Sequence, residues 1–180
     1  VGQENQGWAL ARALLAHERT MIGDVFKERD DTDKLVAAAR DHLGDDGGRI
    51  ADPLVRDRIA ALEIDQACLD LTMQRAKDGA RAGQKPGHES SIFKLAGTEL
   101  NQRRRDLHCA ILGPQALGWE SEPSAAGTAG YGPEELKATR DWLRSRGNTI
   151  EGGTSEIQLD IIAKRVLGLP DARGARKDGA

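Results

Sequence analysis

Apolar positions recur along this chain at helical rather than strand spacing. Over residues 5–27, Trp8, Ala11, Leu14, Leu15, Met21, Ile22, Val25 and Phe26 fall on one stripe of a 3.6-residue repeat. A polar connection follows, in which 33–42 predicts a short helix and Asp45-Asp46-Gly47-Gly48 a chain break. Asp52-Pro53 reads as an N-cap followed by a first-turn proline, opening a helix that runs to about Ala82. Leu54, Val55, Ile59, Leu62, Cys68, Leu69 and Met73 are expected on its buried side. Lys85-Pro86-Gly87 breaks that helix, and the next spans Glu89 to Leu112, stopped by Gly113-Pro114. Trp119 to Gly132 is rich in Gly, Ser, Ala and Pro without a period, which predicts a long loop. Pro133 opens a helix to about Arg146 that carries Leu136, Trp142 and Leu143. No segment reads as a strand, and long helices joined by breaks predict an all-α fold, an antiparallel helical bundle of four to five main helices.

The last segment, Gly147 to Pro170, couples a glycine turn to a capped helix. Gly152 and Gly153 adopt backbone angles closed to other residues and let a ligand approach closely. Thr154 or Ser155 caps the first orphan N–H groups, and Ser155 with Gln158 fits a reciprocal capping box. Ile157, Ile161, Ile162 and Val166 follow at helical spacing, and Gly168 with Pro170 closes the element. On spacing alone this is a helix whose N-terminus serves either plain capping or the polar edge of a ligand.

Composition narrows the function classes. A chain of 180 residues buries one sizeable core, so residues 1–180 are expected to form a single domain. Aromatics at 3% are too few for a base-stacking surface, and a net charge of −3 with interspersed signs offers no basic footprint for nucleic acid or membrane. No apolar run approaches the roughly 20 residues of a membrane span. Cys68 and Cys109 lack metal-ligand spacing, so no metal is expected, and they read as small buried hydrophobes in a reducing, cytoplasmic compartment.

Glu18 is the candidate for chemistry. It lies three or four residues from Leu14, Leu15, Met21 and Ile22, which puts a carboxylate on the apolar stripe of the first helix. Burial raises a carboxylate's pKa, as a general base for a carbon acid requires. By position alone the same residue also fits an ion pair with Arg19 or with a cation on another helix. His17 is the nearest histidine and at most lines such a site.

The words of the chain carry more than its spacing. TIEGGTSEIQLDIIAKRVLGLP, from Thr149 to Pro170, closely resembles the C-terminal signature of the acyl-CoA dehydrogenase family of flavoenzymes. VGQENQGWALARALLAHER at the start is similar to that family's entry into its C-terminal helical domain, and SSIFKLAGTELNQ at Ser90 to Gln102 to its long middle helix. The three segments span the chain in the family's order. The resemblance implies a C-terminal helical domain of a larger enzyme whose N-terminal helical and middle β-domains lie ahead of Val1, so that the isolated chain is inactive. It implies FAD as cofactor, an acyl-CoA thioester as substrate, an acceptor such as an electron-transfer flavoprotein, and a homo- or hetero-oligomer. In the reaction so implied, a glutamate takes the α-proton while the β-hydrogen leaves as hydride to flavin N5.

The family carries its base at one of two places. Many members hold it in the turn before the last helix, where this chain has Gly152, with Glu151 displaced by one residue. The isovaleryl and long-chain enzymes hold it before an arginine on the first helix of this domain, and Glu18-Arg19 matches that pair. The resemblance therefore makes Glu18 the catalytic base, places Arg19, Gly152 and Gly153 at the substrate, and places Thr154 and Glu156 at the flavin. Two family elements are missing. The connection from Glu28 to Asp52 has no Phe-Gly, and Ala110 stands where the family has a glutamine ahead of a glycine pair. Both normally serve flavin across a subunit interface, which implies a divergent branch acting on steroid-like or aromatic acyl groups. A non-catalytic partner subunit of a hetero-oligomer is the alternative. A helical interaction module is a third reading, with Asn101 to Arg105 as a basic docking face; Arg103 to Arg105 otherwise form a solvated helix face with one member turned toward the interface.

Overall fold

The computed structural model describes residues 2–14, 30–84, 87–119 and 131–171. Among these it is all-α apart from one hairpin. The helices are α1 over residues 7–14, α2 (Asp30–Leu43), α3 (Pro53–Arg81), α4 (Glu89–Leu112), α5 (Pro133–Gly147) and α6 (Ser155–Ile161). A 3₁₀ turn, Gly113–Leu117, follows α4, and a π-helical turn, Ile162–Val166, continues α6. The chain divides into two compact units, and α3 and α4 each contribute to both.

The starts of these helices follow from local chemistry. Asp52 Oδ1 accepts from the N–H groups of Leu54 (2.8 Å) and Val55 (3.1 Å), so the aspartate before Pro53 caps α3 as its sequence predicts. Glu135 reaches back to the Gly132 N–H at 2.7 Å and anchors the start of α5. The connection between α2 and α3 differs from expectation. Asp45–Asp46 pairs antiparallel with Arg49–Ile50. Gly47 and Gly48 have φ of 58° and 88°, the two left-handed residues that a tight hairpin of matching twist requires. Asp45 Oδ1 accepts from the Gly48 N–H at 2.8 Å, and Arg40 bonds both Asp45 and the Gly48 carbonyl. Strands of two residues are too short to leave a period in the sequence.

The unit formed by Glu28–Cys68 and Thr98–Asn148 holds α2, the first part of α3, most of α4, and α5. Its pairings run antiparallel. Arg103 meets Asp65 at 2.7 Å and Arg104 donates to Gln66 at 3.1 Å, tying α4 to α3. Asn101 bonds Asn148 (2.9 Å), Gln102 bonds the Ser145 carbonyl (3.0 Å), and Asp106 accepts from Trp142 (2.6 Å) and from Arg146, tying α4 to α5. Leu35, Ile59, Leu62, Leu107, Ile111 and Leu136 are buried here. Leu112, Ala116 and Ala138 form a cluster with the half-buried Cys109, whose thiol is pushed up by burial and by nearby Asp106.

The other unit, Val1–Lys27 with Leu69–Gly97 and Thr149–Ala180, holds α1, the end of α3, the start of α4, and α6. Leu69 and Met73 of α3 are buried, and so are Ser91 and Lys94 of α4, the lysine completely. Its apolar surface is large: Trp8 is 74% exposed and Leu14 68%. The stripe read over residues 5–27 is thus uncovered along the described part of α1.

Two expected core positions of α3 are wrong. Leu54 is 73% exposed and Cys68 is exposed, because the buried line runs Val55, Ile59, Leu62, Leu69, Met73. Each outlier sits one residue before a member of that line, turned about 100° away from it. Leu107→Ala should therefore cost about 2–5 kcal/mol. Leu54→Ala should stay within about 0.5 kcal/mol. Denaturant unfolding of the two variants checks the assignment, and equal losses would reject it.

Candidate functional site

The glycine turn and the start of α6 lie within one unit and form a compact polar construction. Gly152 and Gly153 have φ of 67° and 108°, which L side chains rarely adopt, so the glycine pair is required by the turn. The Gly153 N–H returns to the Ile150 carbonyl at 3.2 Å. Thr154 is the N-cap: its hydroxyl accepts from the Ile157 N–H at 3.4 Å. The reciprocal box read for Ser155 and Gln158 does not form. Gln158 is instead fully buried and turns back, its Nε2 donating to the Gly152 carbonyl at 3.0 Å and to the Gly153 carbonyl at 3.4 Å. A capping box pairs the N-cap with the residue three further on, and with Thr154 as the cap that residue is Ile157, which has no polar side chain.

Glu156 stands in the first turn of α6. Its carboxyl is held below the ordinary glutamate range, first by its own backbone N–H and then by the Thr154 hydroxyl. The Thr154 hydroxyl thus serves the helix start twice, as its cap and as a cause of the lowered Glu156 pKa. Further along, Lys164 bonds Asp160 at 2.8 Å and Asp171 at 3.3 Å, which raises its pKa and clips the π turn to the segment after it.

Four of the six site residues expected from sequence, Gly152, Gly153, Thr154 and Glu156, therefore meet on one turn. Glu18 and Arg19, with His17, lie outside the described residues. Sequence reasoning missed Gln158 as a buried anchor, and it missed Lys94. Ser91, Lys94 and Thr98 follow one face of α4 at i, i+3 and i+7, and all three are buried. A polar stripe at helical spacing was the available signal. Of Arg103 to Arg105, Arg104 is 4% exposed and Arg105 lies 3.5 Å from Asp141, so the basic run is drawn into helix contacts and does not form a free docking face.

A separate cleft of about 140 Å³ in the α2–α4–α5 unit is lined by Lys34, Arg104, Arg105, His108 and Lys137 against Glu134 and Asp141. Lys137 bonds Asp141 at 2.5 Å, so part of its charge is neutralised internally. No group of His, Cys, Asp and Glu able to hold a metal ion occurs among the described residues. No helix among them is long and apolar enough to cross a membrane.

Residues 5–167 match the family described as the acyl-CoA dehydrogenase C-terminal domain. Acyl-CoA dehydrogenase FadE34 of Mycobacterium tuberculosis is 31% identical over 170 residues, covering 94% of this chain and 21% of FadE34. The fold is similar to that of the Tcur3481–Tcur3483 steroid ACAD G363A variant, with a TM-score of 0.71 at 24% identity over 96% of this chain and 42% of that one. The ChsE4–ChsE5 complex of Mycobacterium tuberculosis gives a TM-score of 0.68 at 26% identity, covering 96% of this chain and 43% of that chain. The chain thus spans less than half the length of each.

Thr154→Ala should cost about 1 kcal/mol of stability through the lost cap. It should also raise the Glu156 pKa part of the way to its ordinary value, because the backbone N–H remains. A depressed carboxyl contributes stability above its unfolded pKa, and that contribution fades as pH falls through the folded value. In the variant the contribution should be smaller and the fade should end at a higher pH, while its onset at the unfolded pKa stays put. A carboxyl-carbon NMR titration of Glu156 checks this, and an unmoved midpoint would break the proposed pairing.

Proposed function

The chain belongs to the acyl-CoA dehydrogenase family, and from that premise we propose that it is the C-terminal helical domain of an FAD-dependent acyl-CoA dehydrogenase that desaturates an acyl-CoA thioester between its α and β carbons. The observation that carries the reading is the left-handed Gly152–Gly153 turn leading into the Thr154-capped α6. It removes side chains where a thioester must pass, and it presents a helix start to a polar ligand edge.

Each residue has a defined task. Glu18 accepts the α-proton on a carboxylate oxygen as the Cα–H bond breaks. Arg19 orients the substrate and keeps the base ionised until then. Gly152 leaves space in the position of the family's other base, and Gly153 lies beside the acyl chain. The start of α6 fits the polar edge of a flavin: the Thr154 hydroxyl and the exposed carboxylate of Glu156, its pKa lowered, stand together in the first turn. Thr154 and Glu156 are the residues that hold the cofactor's polar edge. Bound FAD supplies the hydride acceptor for the β-hydrogen.

Exposed apolar side chains support a domain that packs against further protein. Ile157 (50%), Leu159 (54%) and Leu167 (64%) of the α6 segment are uncovered, as are Trp8 and Leu14. The rest of the enzyme, a second subunit, or both fit that surface. A non-catalytic partner subunit of a hetero-oligomer is the second reading. It is favoured by the missing Phe-Gly, in whose connection this chain builds the Asp45–Ile50 hairpin, and by Ala110 in place of the family's glutamine. The steroid named for one structural neighbour agrees with a bulky acyl group as substrate.

In the full-length enzyme, Glu18→Gln should lower flavin reduction in a single turnover by about 10²–10⁴ while flavin content and ligand binding stay near wild type. Glu151→Gln should change it little. Introducing Gly152→Glu into the Glu18→Gln background should restore part of the rate. Normal reduction in Glu18→Gln with collapse in Glu151→Gln would transfer the base to Glu151, and normal rates in both would favour the non-catalytic subunit.

A further inference from the structure

Gln158 has no task in the reading above, yet it is the only glutamine with a fully buried side chain among the described residues. Its Nε2 takes two successive carbonyls, Gly152 at 3.0 Å and Gly153 at 3.4 Å. Peptide groups are planar and trans, so fixing a carbonyl also fixes the N–H on the other side of the same unit. The Gly152 carbonyl shares its unit with the Gly153 N–H, which returns to Ile150 at 3.2 Å. The Gly153 carbonyl shares its unit with the Thr154 N–H, which is thereby turned away from the buried amide. Glycine is the residue least able to hold such a conformation alone, because it loses the most backbone freedom on ordering. Two in a row need an outside anchor, and Gln158 is placed to be one.

We infer that Gln158 is a positioning residue for the active site: its buried amide locks the Gly152–Gly153 turn and so sets the direction of the Thr154 N–H and the width of the gap through which the acyl thioester passes. The inference rests on the proposed function for the place of the turn in catalysis. The lock itself stands on geometry alone. Gln158 touches neither substrate nor cofactor in this role. It acts through the backbone.

The side chain can be tested as a donor. Gln158→Leu keeps most of the volume and removes the hydrogen bonds. Gln158→Glu keeps the reach but, when ionised, has only acceptors to offer two carbonyls. Once protonated it regains a donor, and burial raises the pH at which that happens. In the chain as it stands, amide exchange by NMR should show Gly153 losing about tenfold in protection factor in Gln158→Leu, the change that one hydrogen bond of ordinary strength carries. Amides in the centre of α4 should keep theirs, which also verifies folding. In Gln158→Glu the same loss should appear at neutral pH and reverse on acidification, a rescue that a merely space-filling role does not give. Unchanged Gly153 protection in both variants would overturn the inference.

In the full-length enzyme the two variants should raise KM for acyl-CoA and shift the flavin absorption bands, with a smaller effect on kcat, and acid should restore Gln158→Glu in step with its exchange behaviour. Lost protection with wild-type KM and flavin spectrum would separate the turn from the active site. That result would overturn the catalytic placement of the turn and the positioning role together, while the lock remained.

Discussion

Polar groups on α4 that cannot be left unsatisfied dictate how the α2–α4–α5 unit is assembled. From Asn101 to Asp106 the helix offers side chains to two neighbours in turn: Arg103 and Arg104 to Asp65 and Gln66 of α3, and Asn101, Gln102 and Asp106 to Asn148, Ser145, Trp142 and Arg146 of α5. Aliphatic contacts tolerate sliding by a residue, because one Leu resembles another. A half-buried arginine facing the wrong residue does not, since the desolvated group then lacks its partner. Apolar burial drives the helices together, and the polar ladder selects the register. Arg104, at 4% exposure, is the rung for which an error costs most.

Helix boundaries were readable wherever punctuation was chemical. Asp52-Pro53 and Gly132-Pro133 mark the starts of α3 and α5, and Gly113-Pro114 the end of α4, because caps and missing N–H groups act locally. The hairpin was hidden by its length, although Gly47-Gly48 was its signal. Burial phase was less legible. Leu54 and Cys68 look apolar enough for the core and miss it by one residue's rotation, a choice that the neighbouring helices make. Lys94 was missed for the opposite reason: composition assigns lysine to the surface, and its place in the Ser91–Lys94–Thr98 stripe was the one mark against that.

The candidate site divides in the same way. Gly152, Gly153, Thr154 and Glu156 are contiguous, so a short motif delivered them together with the turn that positions them. Gln158 belongs to the same motif, but its role runs backward across the turn to carbonyls that carry no sequence mark. Two kinds of residue are legible in the candidate site, those marked by a polar side chain and those marked by the lack of one. The buried amide that bonds the two glycine carbonyls is the least visible of all.

The π turn at Ile162–Val166 has a consequence for how the end of the chain is counted. Leu167 N–H returns to the Ile162 carbonyl at 2.9 Å, five residues back where an α-helix spans four. The helix therefore contains one surplus residue, absorbed as a local widening. Leu167 caps the turn and Gly168, at φ 67°, ends the helix, so the exposed Leu167 and Leu169 fall outside its repeat. A heptad or amphipathic wheel drawn straight through the segment therefore assigns them a face that the backbone does not have.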